Sequence, residues 1–287
     1  MPRRHNHYVP AYYLSGFTDP VTGNIFMYFK ATNEVVRTTV RSVANQLHYW
    51  SDQTEEYLAN QVENPANPVL DKIKSLQPIT QQDRWLLSRY IIAMLKRVPE
   101  GRRRILSRSP TEMRETMDRF KAELEAKRET DPSKADRIDN IIEQIDSLPP
   151  GFFDKLPKEV WEEIISPERT RKSLTVLHNM RWIFLTAPKE RGFVASDNPV
   201  VYTTATGVRP PAGELVFPIS QKVALWASWN REWREGGYYS ARKEIVDKIN
   251  YWVVYSATGY VFYSKDKNWV VEFIKKVRKH AKKAMKG

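Results

Sequence analysis

Apolar residues recur along this chain with two different periods. Between positions 80 and 98 they fall at Leu86, Leu87, Tyr90, Ile91, Met94, Leu95 and Val98, a spacing that lays one stripe down an α-helix. Thr80 stands ahead of that stripe with Asp83 three positions on, close to a capping box, and Pro99 ends it. The helical period extends to either side. Glu55 to Leu76 holds one or two helices around Pro65 and Pro68. Thr111 to Ser147 is long, heavily charged and balanced in sign. Met113, Met117, Phe120 and Leu124, then Ile138, Ile141, Ile142 and Ile145, mark its packing faces. Asp131-Pro132-Ser133 breaks it into a helical hairpin. Glu168 to Leu185 continues the pattern through Leu174, Leu177, Met180 and Trp182.

Both flanks read as β. Asn24 to Lys30 follows a Thr22-Gly23 turn, and the Val- and Thr-rich Val35 to Val43 suits a partner strand, joined to the first around Thr32-Asn33. Beyond Gly192, short β segments fall at Phe193 to Ala195, Val200 to Tyr202, Glu214 to Phe217, Val223 to Trp229 and Tyr260 to Tyr263. Ser240 to Ser256 and Asp266 to Met285 are helical between and after them. The predicted fold is α+β. It is one mixed domain over 1–287, with β elements from both chain ends able to share a sheet. A helical insertion spans 53–187 with a projecting hairpin near 111–147, and a basic helix closes the chain at 265–287.

Composition narrows the function. Nine Trp, fourteen Tyr and eleven Phe need an interior, which excludes disorder for most of the chain. With no cysteine, disulfides, thiolate metal sites and a Cys nucleophile are excluded. Histidine chemistry is confined to positions 5, 7, 48, 178 and 280. No secretory signal and no apolar run of membrane length is visible, so the expectation is a cytoplasmic protein without a transmembrane segment. The formal charge is +12, of which +7 falls in residues 251–287. Such a concentrated excess fits nucleic acid or another polyanion as partner, because each neutralised phosphate releases counterions; a solvated basic tail is the plainer reading.

Several segments carry chemistry. His5-Asn6-His7-Tyr8-Val9-Pro10, if extended, turns both imidazoles to one side, where they suit a metal ion or an acid/base pair acting on phosphate. The alternative is two surface histidines on a flexible end. The three consecutive letters His-Asn-His do not have the spacing of an HNH nuclease. Ser196-Asp197-Asn198-Pro199-Val200 offers a carboxylate and an amide on a turn, for a metal or a substrate, although both residue types also form turns for local reasons. Arg97 and Arg102 to Arg104 sit at a helix C-terminus, where cations are favoured in any case, but arginines also grip phosphate bidentately. Arg171 and His178 match the loose spacing of HEPN ribonucleases, a pattern common by chance. In the last helix, Trp269, Val270, Phe273, Ile274 and Val277 form an apolar stripe, and Lys275, Lys279, Lys282 and Lys286 a basic one. Gly-rich phosphate loops, the Gly-x-Ser-x-Gly elbow and His-Glu-x-x-His are absent, which removes the common NTPase, dinucleotide and zinc-protease readings.

Taken together, these segments resemble a prokaryotic domain-of-unknown-function family, number 4238, over nearly the whole chain. The matching residues are His5 to Pro10, Tyr12-Tyr13-Leu14, Gly16-Phe17, Arg97-Val98-Pro99, Ser196 to Val200 and Phe217-Pro218-Ile219-Ser220. Asn6 departs from the family pattern, which often carries a second adjacent histidine there. The resemblance adds Glu63, in a helix, and Asn250, ahead of Tyr260 to Tyr263, as site candidates. It implies a shared site without naming a reaction.

Three functional readings follow. The first is a phosphodiester-directed, nuclease-like hydrolase, of the kind used as a prokaryotic defence or toxin effector. His7 would act with His5 as second candidate, Glu63 and Asp197 would be carboxylates or metal ligands, and Arg97, Asn198 and Asn250 would bind substrate with Lys275, Lys279 and Lys282. Its metal would be Mg²⁺ or Mn²⁺. The second is a non-catalytic nucleic-acid-binding or complex-assembly protein with a protein partner. The third is a hydrolase or transferase for another phosphorylated or carbohydrate substrate.

Overall fold

The computed structural model describes residues 5–149, 151–152, 158–166, 171–202, 211–232, 234–264 and 268–284. In chain order the elements are β1 (His5–His7), α1 (Ala11–Leu14), β2 (Ile25–Phe29), β3 (Val35–Thr38), β4 (Asn45–Leu47), α2 (Asp52–Tyr57), α3 (Asn64–Lys74), α4 (Gln81–Arg97), α5 (Pro99–Thr130), α6 (Ala135–Asp146), α7 (Lys158–Ile165), α8 (Arg171–Asn179), β5 (Arg181–Thr186), β6 (Ala195–Ser196), β7 (Val201–Tyr202), β8 (Glu214–Pro218), β9 (Val223–Ser228), β10 (Tyr238–Ser240), α9 (Lys243–Ser256), β11 (Tyr260–Tyr263) and α10 (Asn268–Ala284). The fold is α+β with a helical segment in its middle. The chain divides into two compact units, Met1–Gly101 with Ile164–Gly287, and Arg102–Glu163.

In the larger unit, one sheet has the strand order β3-β2-β11-β6 and is antiparallel throughout. The β2–β3 hairpin turns through Asn33, held at φ 65, a left-handed conformation that Asn tolerates better than most residues. β11 lies beside β2, from Tyr260 opposite Phe29 to Tyr263 opposite Phe26. The two chain ends therefore do meet in one sheet. A second sheet has the order β10-β5-β9-β8-β7, with β10 parallel to β5 and the other pairs antiparallel.

Strand β5 departs from the sequence pattern, which reads as helix through Leu185. The helix α8 stops at Asn179, and Trp182, Ile183, Phe184 and Leu185 are all buried in a strand paired along its length with β9. A strand covered on both faces shows no alternation, so its apolar run has no period to separate it from a buried helix. The start of the predicted helix, residues 168–170, lies outside the described residues.

Helix α4 has its capping box. Thr80 Oγ1 accepts from the Asp83 amide at 3.1 Å, and Asp83 Oδ2 accepts from the Thr80 amide at 2.9 Å. Its second half is buried on every side, Lys96 and Arg97 included. Lys96 Nζ meets this by donating to the carbonyls of Ile164 and Ser166 at 2.6 and 2.9 Å. Val98, before proline, is extended at ψ 154, and Pro99 opens α5, as its fixed φ favours. In the smaller unit, α5 and α6 run into a hairpin about Asp131-Pro132, tied by Lys121–Asp146 and Arg128–Asp139 ion pairs at 2.6 and 3.1 Å.

Two motifs far apart in the chain are packing partners. Tyr13 donates to the Pro218 carbonyl at 2.8 Å and stacks on Phe217 with ring centroids 5.1 Å apart. Gly16 lies so close to the β8–β9 turn that a Cβ there would fall 2.7 Å from the Ile219 oxygen. The Gln221 amide closes the contact on the Gly16 carbonyl at 2.9 Å.

Candidate functional site

Strand β1 is extended and paired with β4, His5 opposite Leu47 and His7 opposite Asn45. Alternation then sends the two histidines to one side and Asn6 to the other. His5 is exposed and His7 half-buried, while Asn6 is fully buried. Asn6 Oδ1 accepts from the amides of Tyr49 and Trp50 at 2.8 and 3.3 Å, and Nδ2 donates to Glu55 at 3.1 Å. The same Glu55 oxygen accepts from the Trp50 indole at 2.5 Å. Asn6 thus fastens the leading strand to the loop before α2. Nothing in the linear pattern marks Trp50 or Glu55 for this role. Asn6 was recoverable only as the inward residue between two outward ones.

Behind His7 stands Arg97, 2% exposed at the end of α4. One terminal nitrogen pairs with Glu63 at 2.5 Å, the other donates to the His7 carbonyl, and the guanidinium lies 5.0 Å from the Trp50 ring centroid. Glu63 closes a π-helical turn over Leu58–Glu63 that leads into α3. Pro65 accounts for that turn: it lacks an amide hydrogen, and its ring would crowd the Gln61 carbonyl four residues back. Tyr90, from the middle of α4, is fully buried, and burial and the Glu63 charge push its pKa up.

Burial lowers the His7 pKa below its ordinary 6.5. Arg97 acts in the same direction, while Glu55, Glu63 and the Val43 carbonyl oppose it. The imidazole is therefore neutral at physiological pH. Among the described residues His7 Nδ1, Arg97 Nε and the Tyr90 hydroxyl are buried without a hydrogen-bond partner. Buried polar groups are rarely left in that state, and here three occur around one carboxylate.

Asp197 belongs to a neighbouring polar cluster. Its carboxylate accepts from the amides of Thr258, Gly259 and Tyr260 at 2.8, 2.6 and 3.2 Å. Burial raises its pKa, against the pull of those three amides and of Lys30. Asn198 Nδ2 donates to the Ser256 carbonyl at 3.1 Å. The Ser196-Asp197-Asn198 turn thus clamps the α9–β11 connection. Tyr8 links the two clusters: its ring meets Tyr49 at 5.9 Å, and after burial the Asp197 charge is the largest cause raising its pKa. The charges acting on His7 itself are Glu55, Arg97 and Glu63.

Asn250 accepts from the Val194 amide and donates to the Gly192 carbonyl, both at 3.0 Å. Lys275 and Lys279 are exposed on α10, whose other side buries Val270, Ile274 and Val277. The Lys282 side chain and Lys286 lie outside the described residues. His178 closes α8 with its ring edge-on to Trp85 at 5.6 Å, and Arg171 stands exposed at that helix's first turn.

The structure therefore brings together His7, Glu63 and Arg97. It engages Glu63 with a guanidinium and Asp197 with three amides. Among the described residues no group of three or more His, Asp or Glu side chains is placed to hold a metal ion, and no helix is long and apolar enough to cross a membrane. What the arrangement offers chemically is a neutral, half-buried imidazole between two carboxylates and a buried guanidinium.

No curated protein and no solved structure matches the chain. The model of a family described as "Protein of unknown function (DUF4238)" matches residues 5–267, and the chain belongs to that family.

Proposed function

We propose that this chain is a cytoplasmic, phosphodiester-directed hydrolase in which His7 transfers the proton. In this reading the neutral imidazole takes a proton from the attacking oxygen, the phosphorus–oxygen bond to the leaving group breaks, and a proton is returned to that oxygen. Arg97 and Glu63 act as positioning residues, since Arg97 holds the His7 carbonyl, Glu63 holds Arg97, and both charges act on the imidazole. Lys275 and Lys279 hold the polyanion. One observation carries the reading: His7 is half-buried, has its pKa lowered, and stands between Glu55, Glu63 and Arg97 with Nδ1 unpartnered among the described residues.

The test is incubation with single- and double-stranded DNA and with RNA, in Mg²⁺, in Mn²⁺ and in chelator, comparing the native chain with His7→Ala. The expected result is cleavage that falls about 10²–10⁴-fold in the variant. Absence of cleavage under all conditions, or cleavage indifferent to the substitution, overturns it. A second reading, non-catalytic binding of nucleic acid, is favoured by the exposed lysines of α10 and by the engagement of Arg97 and Asp197 with the chain's own backbone. It predicts salt-sensitive binding that survives His7→Ala without cleavage.

A further inference from the structure

A cleft of about 580 Å³ opens in the larger unit, and none of the residues around His7 lines it. Its walls are the end of α3 (Lys74 to Leu76), the chain leaving β5 (Thr186 to Lys189) with Gly192, and the turn entering β9 (Gln221 to Val223). Three lysines, 74, 189 and 222, line it, and no carboxylate does. Among the described residues the ammonium groups of Lys189 and Lys222 have no hydrogen-bonding or ion-pairing partner. Lys74 is shared with Asp71 at 3.3 Å and lies 4.8 Å from the Tyr12 ring centroid.

A second observation concerns Leu76 on the same wall. The Gln77 amide bonds the Lys72 carbonyl at 2.8 Å and the Leu76 amide bonds that of Ile73 at 3.0 Å, which closes α3 in a Schellman motif. Its left-handed position, at φ 59, is one where glycine is usual and a Cβ is disfavoured. Leu76 occupies it as a residue 50% exposed. Neither backbone preference nor core packing accounts for a leucine there. Its half-exposed side chain offers the cleft an apolar surface, and strained backbone of this kind gathers at ligand sites.

We propose that this cleft binds a phosphoryl-bearing small molecule of nucleotide size, its phosphoryl groups on Lys189 and Lys222 and its apolar body against Leu76 and Pro188. The volume falls in the range that encloses ligands of that size. The same chemistry is offered by a free nucleotide and by the phosphorylated end of an oligonucleotide.

Calorimetric titration of the full chain at constant ionic strength tests this, with ATP, AMP, pyrophosphate and a 5′-phosphorylated oligonucleotide as probes. A nucleotide should bind saturably, and about tenfold or more weakly to the Lys189→Gln/Lys222→Gln double variant. Leu76→Gly should bind more weakly while melting at the same or a higher temperature, which separates lost contact from lost fold. His7→Ala should bind normally, so failure here and failure of the hydrolase reading are distinguishable. Competition by the oligonucleotide assigns the ligand to a nucleic-acid end; its absence assigns a free nucleotide. No saturable binding at millimolar concentration, or affinity unchanged in the double variant, overturns the proposal.

Discussion

Arg97 donates from its guanidinium to the main-chain carbonyl of His7, ninety positions earlier, while its other terminal nitrogen pairs with Glu63. A buried cation thereby holds the strand that presents the imidazole. Arg97 lies too deep, at 2% exposure, to serve as an open phosphate grip.

Arg97→Ala leaves the partly buried Glu63 without its guanidinium and the His7 carbonyl without its donor. The expected loss is about 3–5 kcal/mol of stability, as for other broken buried pairs. Arg97→Lys recovers only part of it, because an ammonium cannot span both acceptors in the same fork. Urea denaturation of the three proteins measures both differences; a loss below about 1 kcal/mol for Arg97→Ala contradicts the structural role.

His7 and His178 both have pKa values lowered by burial from the ordinary 6.5. Folded chains then bind fewer protons at these sites than unfolded ones once the pH falls below that value. Their contribution to stability is full above pH 6.5 and is lost as the pH drops from there toward the folded pKa. Melting temperatures between pH 7.5 and 5 should fall less steeply in His7→Gln and in His178→Gln than in the native chain. Equal slopes in all three would show that neither ring titrates as described.

Asp197 is the acceptor for three amides of one turn. Asp197→Ala strands those donors and should cost upwards of about 3 kcal/mol. Asp197→Asn keeps one carbonyl acceptor and should cost less. Hydrogen exchange at Thr258 to Tyr260 reports the effect locally, and protection unchanged in Asp197→Ala would contradict it.

Gly16→Ala introduces a Cβ 2.7 Å from the Ile219 oxygen and 3.1 Å from the Ser220 Cβ. Backbone is the obstacle, so the chain must shift, at about 1–3 kcal/mol. Thermal unfolding measures it, and an unchanged melting temperature would mean that the contact is looser than described.

Lys275 and Lys279 are exposed and one turn apart on α10. If they contact phosphates, Lys275→Gln/Lys279→Gln should reduce the slope of log affinity against log salt by about 1–2. Fluorescence anisotropy at several salt concentrations reads this directly, and an identical slope removes α10 from the interface.

Much of the fold was legible in the linear pattern. The capped helix from Thr80, the β2–β3 hairpin at Asn33 and the break at Asp131-Pro132 all rest on signals within a few residues of each other. The β5 strand was not legible, because Trp182 to Leu185 are buried on both faces and carry no alternation. In the site, His7 could be singled out by its residue type and Arg97 by its place at a helix end. Their meeting with Glu55 and Trp50 could not, since it depends on where Asn6 anchors β1.

The chain's own order of residues determined which segments become helix or strand, which types are present to do chemistry, and that the excess charge is positive. Those properties are local or additive. Tertiary structure alone decided that Arg97 faces inward to a carbonyl, that Asp197 caps a turn, and that three lysines converge on a cleft lipped by Leu76. Side chains distant in sequence acquire a shared environment only once backbone pairing and core packing bring them within reach of one another.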